Sequence, residues 1–398
     1  MHQRPTEITI RNHSTQPVFW GGLRTPFTVA QRGFLKDTRP DDLLANLILA
    51  HRSKFSEAYA KDDAPSEIVT GCAYPEGEQG YNIARIAALA AGLELPGMTV
   101  NRLCGSSLEA AAIAAGGVAS GRSASWLVSG VESMSRVTRR GANFSESDFV
   151  KSHAPTAYVT MGETAENLAG RYPSISRGAQ EEFAAGSHGA AHRAWESGFY
   201  DDHVVARRRD ESIRFPVSLE KMASLAPAFT IKAADGHPGV VTAATSSPMS
   251  DGACVGLVTS EEIARDAGAK SFLRILDTST GHVPPELMGL GPVPAVQKIF
   301  QRNRITSRDL AAVEMNEAFA IQTMACIDEL KIDPAIVNAC GGALALGHPL
   351  GASGLRLLMA LQNRMARVGT SGQLGLVTLC IGGGQGIAML CEFVAPNN

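Results

Sequence analysis

Four short stretches of the sequence place reactive or polarising side chains beside glycines or at the ends of strand-like runs. Cys104 precedes Gly-Ser-Ser and the Ala-rich run LEAAAIAA, where the unpaired N–H groups of a helix start favour a thiolate. His348 is surrounded by glycines in GGALALGHPLGASG, Cys380 precedes three glycines, and Asn316 follows an apolar run. These side chains offer a nucleophile, a base, a second acid or base, and an amide that polarises an oxygen.

Each of these residues also has an ordinary structural explanation. A cysteine usually behaves as a small buried hydrophobe, and a histidine beside glycines can be a hydrogen-bonded loop residue. The pair Asn316-Glu317 could cap a helix, and the serines of TSSPMSDGA, residues 245–253, could form a turn. Because all of these residues fall at strand ends of one repeated pattern, their combination favours a catalytic site.

Apolar strand-like runs alternate with Ala-rich helical runs on both sides of these stretches. The alternation covers residues 17–22, 41–55, 66–72, 82–93, 98–104 and 125–135, and returns in 309–330, 336–369 and 372–394. It predicts an α/β fold with a mostly parallel sheet covered by helices on both faces. Cys104 and His348 each open a helix that leads into a strand, so we expect them to face each other from two pseudo-twofold-related halves.

The sequence predicts three regions. The first half covers residues 1–134 and is completed by about 241–270, and the second half covers 271–398. Between them, residues 135–240 form an inserted loop domain, rich in charge (RRRDESIR) and carrying one amphipathic helix at 176–198. We expect this insertion to supply a surface that holds substrate.

Composition excludes several other classes of protein. The chain has 398 residues and a formal net charge of −3, which gives no electrostatic case for nucleic-acid binding. No apolar run approaches the ~20 residues of a membrane span, and no signal-peptide core follows the polar first residues, so a cytoplasmic location is expected. The seven cysteines are scattered without a CxxC pair, which argues against a disulfide framework and against a zinc cluster.

Six motifs together resemble the thiolase family, in particular the 3-ketoacyl-CoA thiolases of fatty-acid β-oxidation. They occur in order between Arg24 and Glu392 and read NRLCGSS, MGETAENLA, GPVPA, NEAFA, GGALALGHPLGASG and CIGGGQG. The resemblance implies a thiolase-like fold, with two related halves that each contain a mostly parallel five-stranded sheet, plus the inserted loop domain.

The resemblance also implies a role for each candidate residue. Cys104 matches the nucleophile that keeps the shortened acyl group as a thioester, and His348 matches the base that activates it. Asn316 matches the residue that holds a water in an oxyanion hole lined by that histidine. Cys380 matches the acid/base for carbon, and the N–H groups of Cys104 and Gly382 match a second oxyanion hole.

Substrates and partners follow from the same resemblance. Five residues match positions near the adenine, pantetheine or acyl path of coenzyme A: Ser247, Arg214, Phe229, Met161 and Phe319. Coenzyme A is expected as co-substrate, with CoA thioesters as ligands, no permanently bound cofactor and no metal. At least a homodimer is expected, with a homotetramer and a complex with a hydratase/dehydrogenase subunit left open.

Two positions favour the degradative type. Thr160 stands where short-chain biosynthetic thiolases typically have histidine, and Gln385 stands where they favour methionine. The alternatives are a biosynthetic acetyl-CoA acetyltransferase and a β-ketoadipyl-CoA thiolase. A ketoacyl synthase is disfavoured because it would carry a second histidine at Asn316 or Cys380. A non-catalytic thiolase-like protein that binds CoA or lipid should lack one of the four catalytic matches, and all four are present.

Overall fold

The structure is a computed structural model that describes residues 16–60, 64–138, 141–229 and 239–395. Its strands are β1 (Pro17–Arg24), β2 (Thr28–Val29), β3 (Glu67–Gly71), β4 (Gly97–Val100), β5 (Ser125–Ser133), β6 (Ser250–Ser260), β7 (Phe272–His282), β8 (Leu310–Met315), β9 (Leu374–Ile381) and β10 (Gln385–Val394). Within these ranges they form one sheet in the order β4-β3-β5-β6-β1-β7-β10-β9-β8, with β2 beside β6.

Helices cover this sheet. They are α1 (Pro40–Lys54), α2 (Ile83–Ala90), α3 (Ser106–Ala119), α4 (Asp148–His153), α5 (Met161–Arg171), α6 (Arg177–Glu196), α7 (Leu219–Ala223), α8 (Glu261–Asp266), α9 (Pro292–Asn303), α10 (Ala320–Leu330), α11 (Ala343–Leu346) and α12 (Ser353–Val368). None of the helices in the described ranges is long and apolar enough to cross a membrane.

The order of strands repeats in the two halves, and the predicted α/β class is confirmed. In the first half β1, β3, β4 and β5 run one way, and β6 is antiparallel to both of its neighbours, β5 and β1. In the second half β7, β8 and β9 share a direction and β10 opposes them. The strands are therefore mostly parallel in direction, although most neighbouring pairs are antiparallel because β6 and β10 lie between strands of the opposite sense.

Two details of the predicted sheets differ from the structure. The halves are joined edge to edge, because β1 pairs antiparallel with β7 at Val18–Arg274 and Phe19–Leu273. The strand predicted at the start of residues 336–369 is absent from the described second half, where Val337 makes a single bridge to Val313. A short 3-10 turn at Pro334–Ile336 lies there instead and overlaps the first residue of that stretch.

Three layers of helices surround the sheet. The central layer is α3 against α12, and it buries Leu108 and Ala111 of α3 together with Leu355 and Leu358 of α12. Helices α1 and α2 cover the outer face of the first half, and α9 and α10 cover that of the second half. The Ala-rich composition of α3 lets its backbone approach α12 closely, which brings the starts of the two helices together.

The region between the halves contains more helices than predicted. The predicted helix at 176–198 is confirmed as α6, but α4, α5 and α7 also lie within 141–229. Helix α5 begins with a capping box, in which Thr160 Oγ1 accepts from the Glu163 N–H and the Glu163 carboxylate accepts from the Thr160 N–H. This T-x-x-E signal is visible in the sequence. The domain boundaries themselves stay a prediction.

We expect Gly354→Ala to lower the free energy of unfolding by about 1–3 kcal/mol, since overpacking of a close backbone contact forces a shift. A Cβ at Gly354, in the first turn of α12, would overlap the backbone of Leu108 in α3. The matched control is Gly116→Ala in α3, where a Cβ would meet nothing within 4 Å. That change should stabilise the helix by about 0.5–1 kcal/mol. Urea unfolding measures both, and equal effects would contradict the close contact.

Candidate active site

Cys104 lies in a strained turn between β4 and α3. The turn is a 3-10 helix at Leu103–Gly105, so Cys104 precedes α3 rather than opening it, which corrects the prediction. Leu103 adopts a φ of 44°, a conformation that costs free energy for a bulky side chain. Ser106 Oγ holds the turn by donating to Leu103 O at 2.6 Å and accepting from the Arg102 N–H at 3.0 Å.

His348 lies in the segment that leads to α12. The prediction that it opens this helix is wrong, because α12 begins at Ser353, after a 3-10 turn at Leu350–Ala352. Its N–H donates to Ser250 Oγ at 3.1 Å, and its backbone bridges Met249. The first residue of β6 and the residue before it therefore hold the histidine from one side.

Hydrogen bonds determine the tautomer of His348. Ser353 Oγ donates its proton to Pro349 O at 2.8 Å, so it accepts from His348 Nδ1 at 2.6 Å. Nδ1 therefore carries the proton and Nε2 carries the lone pair. Burial lowers the pKa of His348 to about 3, and the positive charge of Arg356 acts in the same direction. The neutral imidazole can accept a proton at Nε2.

Asn316 follows β8 and contacts His348 directly. Its side chain is fully buried, and its Nδ2 donates to His348 Nε2 at 3.2 Å. The alternative that Asn316 caps a helix is wrong, because α10 begins at Ala320 with Phe319 as its N-cap. Asn316 Oδ1 accepts no hydrogen bond among the described residues. The amide is thus held by its nitrogen, and its oxygen is available to a ligand or a water.

Cys380 lies near the end of β9, with Gly382 in the turn that follows. Only 1% of Cys380 is exposed. Burial raises the pKa of its thiol well above the usual value, and the nearby Cys104 thiol acts in the same direction. Cys380 is therefore protonated at neutral pH. A Cβ at Gly382 would lie 2.8 Å from Leu103 Cδ1, so a larger residue there would require the Leu103 side chain to shift.

One cavity of about 170 Å³ brings most of the predicted residues together. Its wall includes Cys104, His348, Cys380 and Gly382, as expected from two halves that face each other. Three of the predicted coenzyme A contacts also line it, namely Ser247, Met161 and Phe319. The remaining wall consists of Tyr74, Leu103, Met134, Val159, Thr160, Pro248, Met249, Met288, Ala318 and Leu350.

Two predicted coenzyme A contacts lie away from this cavity wall. Arg214 is exposed, and its N–H donates to His188 Nδ1 at 3.2 Å. Phe229 is half-buried, and its ring centroid lies 6.1 Å from that of Phe319. It therefore packs against Phe319 of the cavity wall without lining the cavity itself. Neither position is brought into the cavity with the thiols, and a role for either in binding coenzyme A stays a prediction.

Sequence reasoning missed three residues that shape the site. Ser353 and Ser250 hold His348 through its Nδ1 and its N–H, and Leu103 carries the strained backbone before Cys104. The two serines stand in the motifs GASG and TSSPMSDGA, so their nearness in sequence to candidate residues was a usable signal. Leucine gives no signal for a positive φ, because it is poorly suited to that conformation.

The described residues contain no group of three or more His, Cys, Asp or Glu side chains that could hold a metal ion. All seven cysteines are free thiols. The cavity is lined by two thiols and a neutral imidazole, and the Asn316 amide lies outside its wall, bonded to that imidazole. This arrangement between two related α/β halves has the composition of a cysteine-dependent acyl-transfer site.

The chain belongs to the thiolase family, whose members are acyltransferases. The thiolase N-terminal domain matches residues 18–262, and the thiolase C-terminal domain matches residues 269–393. The chain is 40% identical to the 3-ketoacyl-CoA thiolase of Escherichia coli O139:H28 over 95% of its length and 100% of that protein. It is 36% identical to the 3-ketoacyl-CoA thiolase of Bacillus subtilis, with 95% and 99% of the chains covered.

Two solved structures share the fold over nearly the whole chain. The dimeric peroxisomal thiolase of Saccharomyces cerevisiae superposes with a TM-score of 0.87 at 32% identity, covering 97% of this chain and 98% of that one. The acetyl-CoA acetyltransferase of Bacillus anthracis gives 0.82 at 33% identity, covering 95% and 99%. The predicted thiolase-like fold is confirmed.

We expect Ser353→Ala to slow alkylation of Cys104 by iodoacetamide about tenfold, a loss of the size found when one hydrogen bond to a buried group is removed. Without Ser353 Oγ, the buried Nδ1–H of His348 loses its acceptor. The tautomer that carries the proton on Nε2, which cannot accept the Cys104 proton there, then becomes similar in free energy to the tautomer with the proton on Nδ1. Mass spectrometry of the Cys104 peptide against time gives the rate. Ser353→Thr, which keeps the hydroxyl, is the control. Equal rates for all three proteins would show that Ser353 does not select the tautomer.

Proposed function

We propose that the protein is a degradative 3-ketoacyl-CoA thiolase. It cleaves a 3-ketoacyl-CoA with coenzyme A into acetyl-CoA and an acyl-CoA shortened by two carbons. The observation that carries the proposal is the shared cavity, in which Cys104, the proton-accepting Nε2 of His348 and the protonated Cys380 lie together. Breaking a carbon–carbon bond next to a thioester requires such a nucleophile, base and proton donor.

The first half-reaction transfers the acyl group to Cys104. His348 Nε2 takes the thiol proton, and the Cys104 sulfur attacks the 3-keto carbon of the substrate. The tetrahedral intermediate then collapses, the bond between C2 and C3 breaks, and its electron pair passes to the acetyl-CoA enolate. Cys380 gives its proton to C2, so that acetyl-CoA leaves and Cys104 holds the shortened acyl group as a thioester.

The second half-reaction transfers the acyl group to coenzyme A. The Cys380 thiolate takes the proton of the coenzyme A thiol, and the coenzyme A sulfur attacks the thioester carbon. Collapse of this second tetrahedral intermediate expels the Cys104 thiolate, which recovers the proton from His348. Each cysteine and the histidine thereby return to their starting protonation states.

Negative charge develops on oxygen in both half-reactions, and two groups of donors are proposed to stabilise it. Once His348 has accepted a proton, its Nε2–H becomes a donor beside a water held by Asn316. The backbone N–H groups of Cys104 and Gly382 form the second oxyanion hole. This assignment is supported by the shared cavity wall and by the 3.2 Å contact of Asn316 with His348.

The alternatives to this function are two other thiolase activities and a non-catalytic thiolase-like binding protein. A biosynthetic acetyl-CoA acetyltransferase has support from the B. anthracis structure, whereas the E. coli and B. subtilis relatives are named for 3-ketoacyl-CoA thiolysis. A β-ketoadipyl-CoA thiolase would use the same chemistry on an acidic substrate. A non-catalytic protein that binds CoA or lipid is disfavoured because Cys104, His348, Cys380 and Asn316 are all present.

Coenzyme A is proposed as co-substrate, with no permanently bound cofactor. A homo-oligomer is supported by the yeast thiolase, which is described as dimeric. We propose a homodimer that associates through the sheet edge at β4, which pairs only with β3 in the described sheet. A tetramer, a complex with a hydratase/dehydrogenase subunit, a role in fatty-acid β-oxidation and a cytoplasmic location stay predictions.

We expect Cys104→Ser and Cys380→Ala to separate acyl loading from carbon–carbon cleavage. Cys104→Ser should form no acyl-enzyme, because a serine hydroxyl lacks the nucleophilicity of a thiolate. Cys380→Ala should still load a saturated acyl-CoA onto Cys104 while losing thiolysis about 100-fold or more, the range of general acid–base catalysis. Intact-protein mass spectrometry and steady-state thiolysis provide the two readouts. An acyl adduct on another residue, or near-normal thiolysis by Cys380→Ala, would refute the mechanism.

We also expect kcat/KM for 3-ketohexanoyl-CoA or 3-ketooctanoyl-CoA to exceed that for acetoacetyl-CoA by about tenfold or more. Thr160 lines the cavity in place of a bulkier histidine, and each further buried methylene contributes up to ~0.8 kcal/mol. Thr160→His should shift the preference back toward four carbons. Thiolysis rates across the chain-length series measure this. A steady fall of kcat/KM from four carbons upward would favour the biosynthetic alternative.

A further inference from the structure

A buried carboxylate connects the two halves close to the candidate site. Glu132 lies in β5, one residue before its end, and only 1% of it is exposed. Its oxygens accept four hydrogen bonds from nitrogen, from the N–H groups of Ala73 at 2.9 Å, Tyr74 at 3.3 Å and Gly351 at 2.9 Å and from Gln79 Nε2 at 2.8 Å. A fifth, longer one comes from the Cys72 thiol at 3.9 Å. Burial raises the pKa of the Glu132 carboxyl, while the bonds from these four nitrogen donors lower it and so favour the ionised acceptor.

These donors come from both sides of the cavity. Ala73, Tyr74 and Gln79 follow β3 in the first half, and Tyr74 lines the cavity. Gly351 belongs to the second half and lies three residues after His348, in the 3-10 turn that precedes α12. Glu132 Oε2 accepts from both Ala73 and Gly351, so a single oxygen atom connects the wall at Tyr74 to the turn that carries His348.

The carboxylate is itself held in place. Gln79 Nε2 donates to it, and Gln79 Oε1 accepts from the Ser133 N–H at 2.6 Å, which closes a loop of hydrogen bonds around Glu132. A Cβ at Gly351 would overlap Val131 O, so the Gly351 turn already lies against β5. The distance between this turn and the first half therefore depends on both packing and the Glu132 hydrogen bond.

We propose that Glu132 is a positioning residue that sets the imidazole of His348 relative to the thiol of Cys104. It acts by fixing the Gly351 turn to the first half, which also carries the Cys104 turn before α3. The inference rests on the proposed function only in taking His348 as the base for Cys104. Glu132 does not line the cavity, so it acts through the Gly351 turn and not by contact with substrate.

The test is a double-mutant cycle on the alkylation of Cys104 by iodoacetamide near neutral pH. Glu132→Gln keeps the side-chain volume but offers one acceptor oxygen in place of two. We expect it to slow alkylation about tenfold in the wild-type background and to have no effect in His348→Ala. Such non-additivity is the signature of two residues that act through one another. Mass spectrometry of the Cys104 peptide separates this thiol from the other six.

A control variant, a steady-state measurement and a replacement variant complete the test. Glu166→Gln alters another buried glutamate, which accepts from the Val240 and Val241 N–H groups and makes no bond to the His348 turn, so it should leave alkylation unchanged. Steady-state thiolysis of Glu132→Gln should show a lower kcat with KM within about twofold, since a positioning defect acts on the transition state. If Glu132→Gln does not fold, Glu132→Asp, with the charge kept and one carbon removed, enters the same cycle.

Each outcome bears on one claim. Equal slowing by Glu132→Gln with and without His348 would assign Glu132 a purely structural role and overturn the inference, as would alkylation at the wild-type rate. If His348→Ala alone leaves alkylation unchanged, the proposed base is wrong and the inference fails with it. If the wild-type protein catalyses no thiolysis, the proposed function is contradicted. The alkylation cycle can still be measured in that case, so the two failures are distinguishable.

Discussion

Direct contact between the backbones of the two halves is the constraint on which the candidate site depends. Gly351 lies against Val131 O, Gly354 lies against the backbone of Leu108, and no side chain fits between them. The turns that carry Cys104 and His348 are the segments immediately before α3 and α12, whose first turns make this contact. The hydroxyl of Ser107 in α3 adds a hydrogen bond from Leu355 N–H at 3.1 Å. A cavity of about 170 Å³ can contain residues from both halves only because the two helix starts are this close.

Burial gives the reacting groups neutral resting states. It lowers the pKa of His348 to about 3 and raises that of Cys380, so the imidazole lacks a proton and the thiol keeps one. His348 and Cys380 are then an acceptor and a donor of protons, both uncharged, which suits the proposed thiolysis, in which an enolate must be kept from water. The Ser353 hydroxyl completes the arrangement by directing the proton of the histidine to Nδ1. Charge appears only when a proton moves between groups that share the cavity.

The sequence predicted the candidate site better than the backbone that holds it. Cys104, His348 and Cys380 stand beside glycines or helix starts, so residue type and neighbours were sufficient, and their shared cavity follows from the repeated order of elements. The alternating runs predicted strands and helices, but they carry no information on which strands are neighbours, so the position of β6 between β5 and β1, antiparallel to both, was not foreseen. The positive φ of Leu103 had no signal at all, because tertiary contacts impose it against the preference of the residue. Arg214 was matched through the family resemblance but lies outside the six motifs, and it is exposed and away from the cavity wall.

Two buried carboxyl groups, Glu132 and Glu317, lie outside the cavity wall, and burial raises the pKa of both. Glu132 accepts hydrogen bonds from backbone N–H groups of both halves, and Glu317, next to Asn316, accepts from Ser187, Asn338 and the Leu344 N–H. Both carboxylates are buried and act only as acceptors, so each orders several loop segments with few atoms. Because His348 is not among the donors to either carboxylate, they order the turns that carry His348 and Asn316 without pairing with the imidazole itself. A carboxylate in contact with His348 would stabilise its protonated form, raise its pKa and favour an imidazole that already carries the second proton at rest. The structure thus obtains rigidity from buried charge while keeping the base neutral.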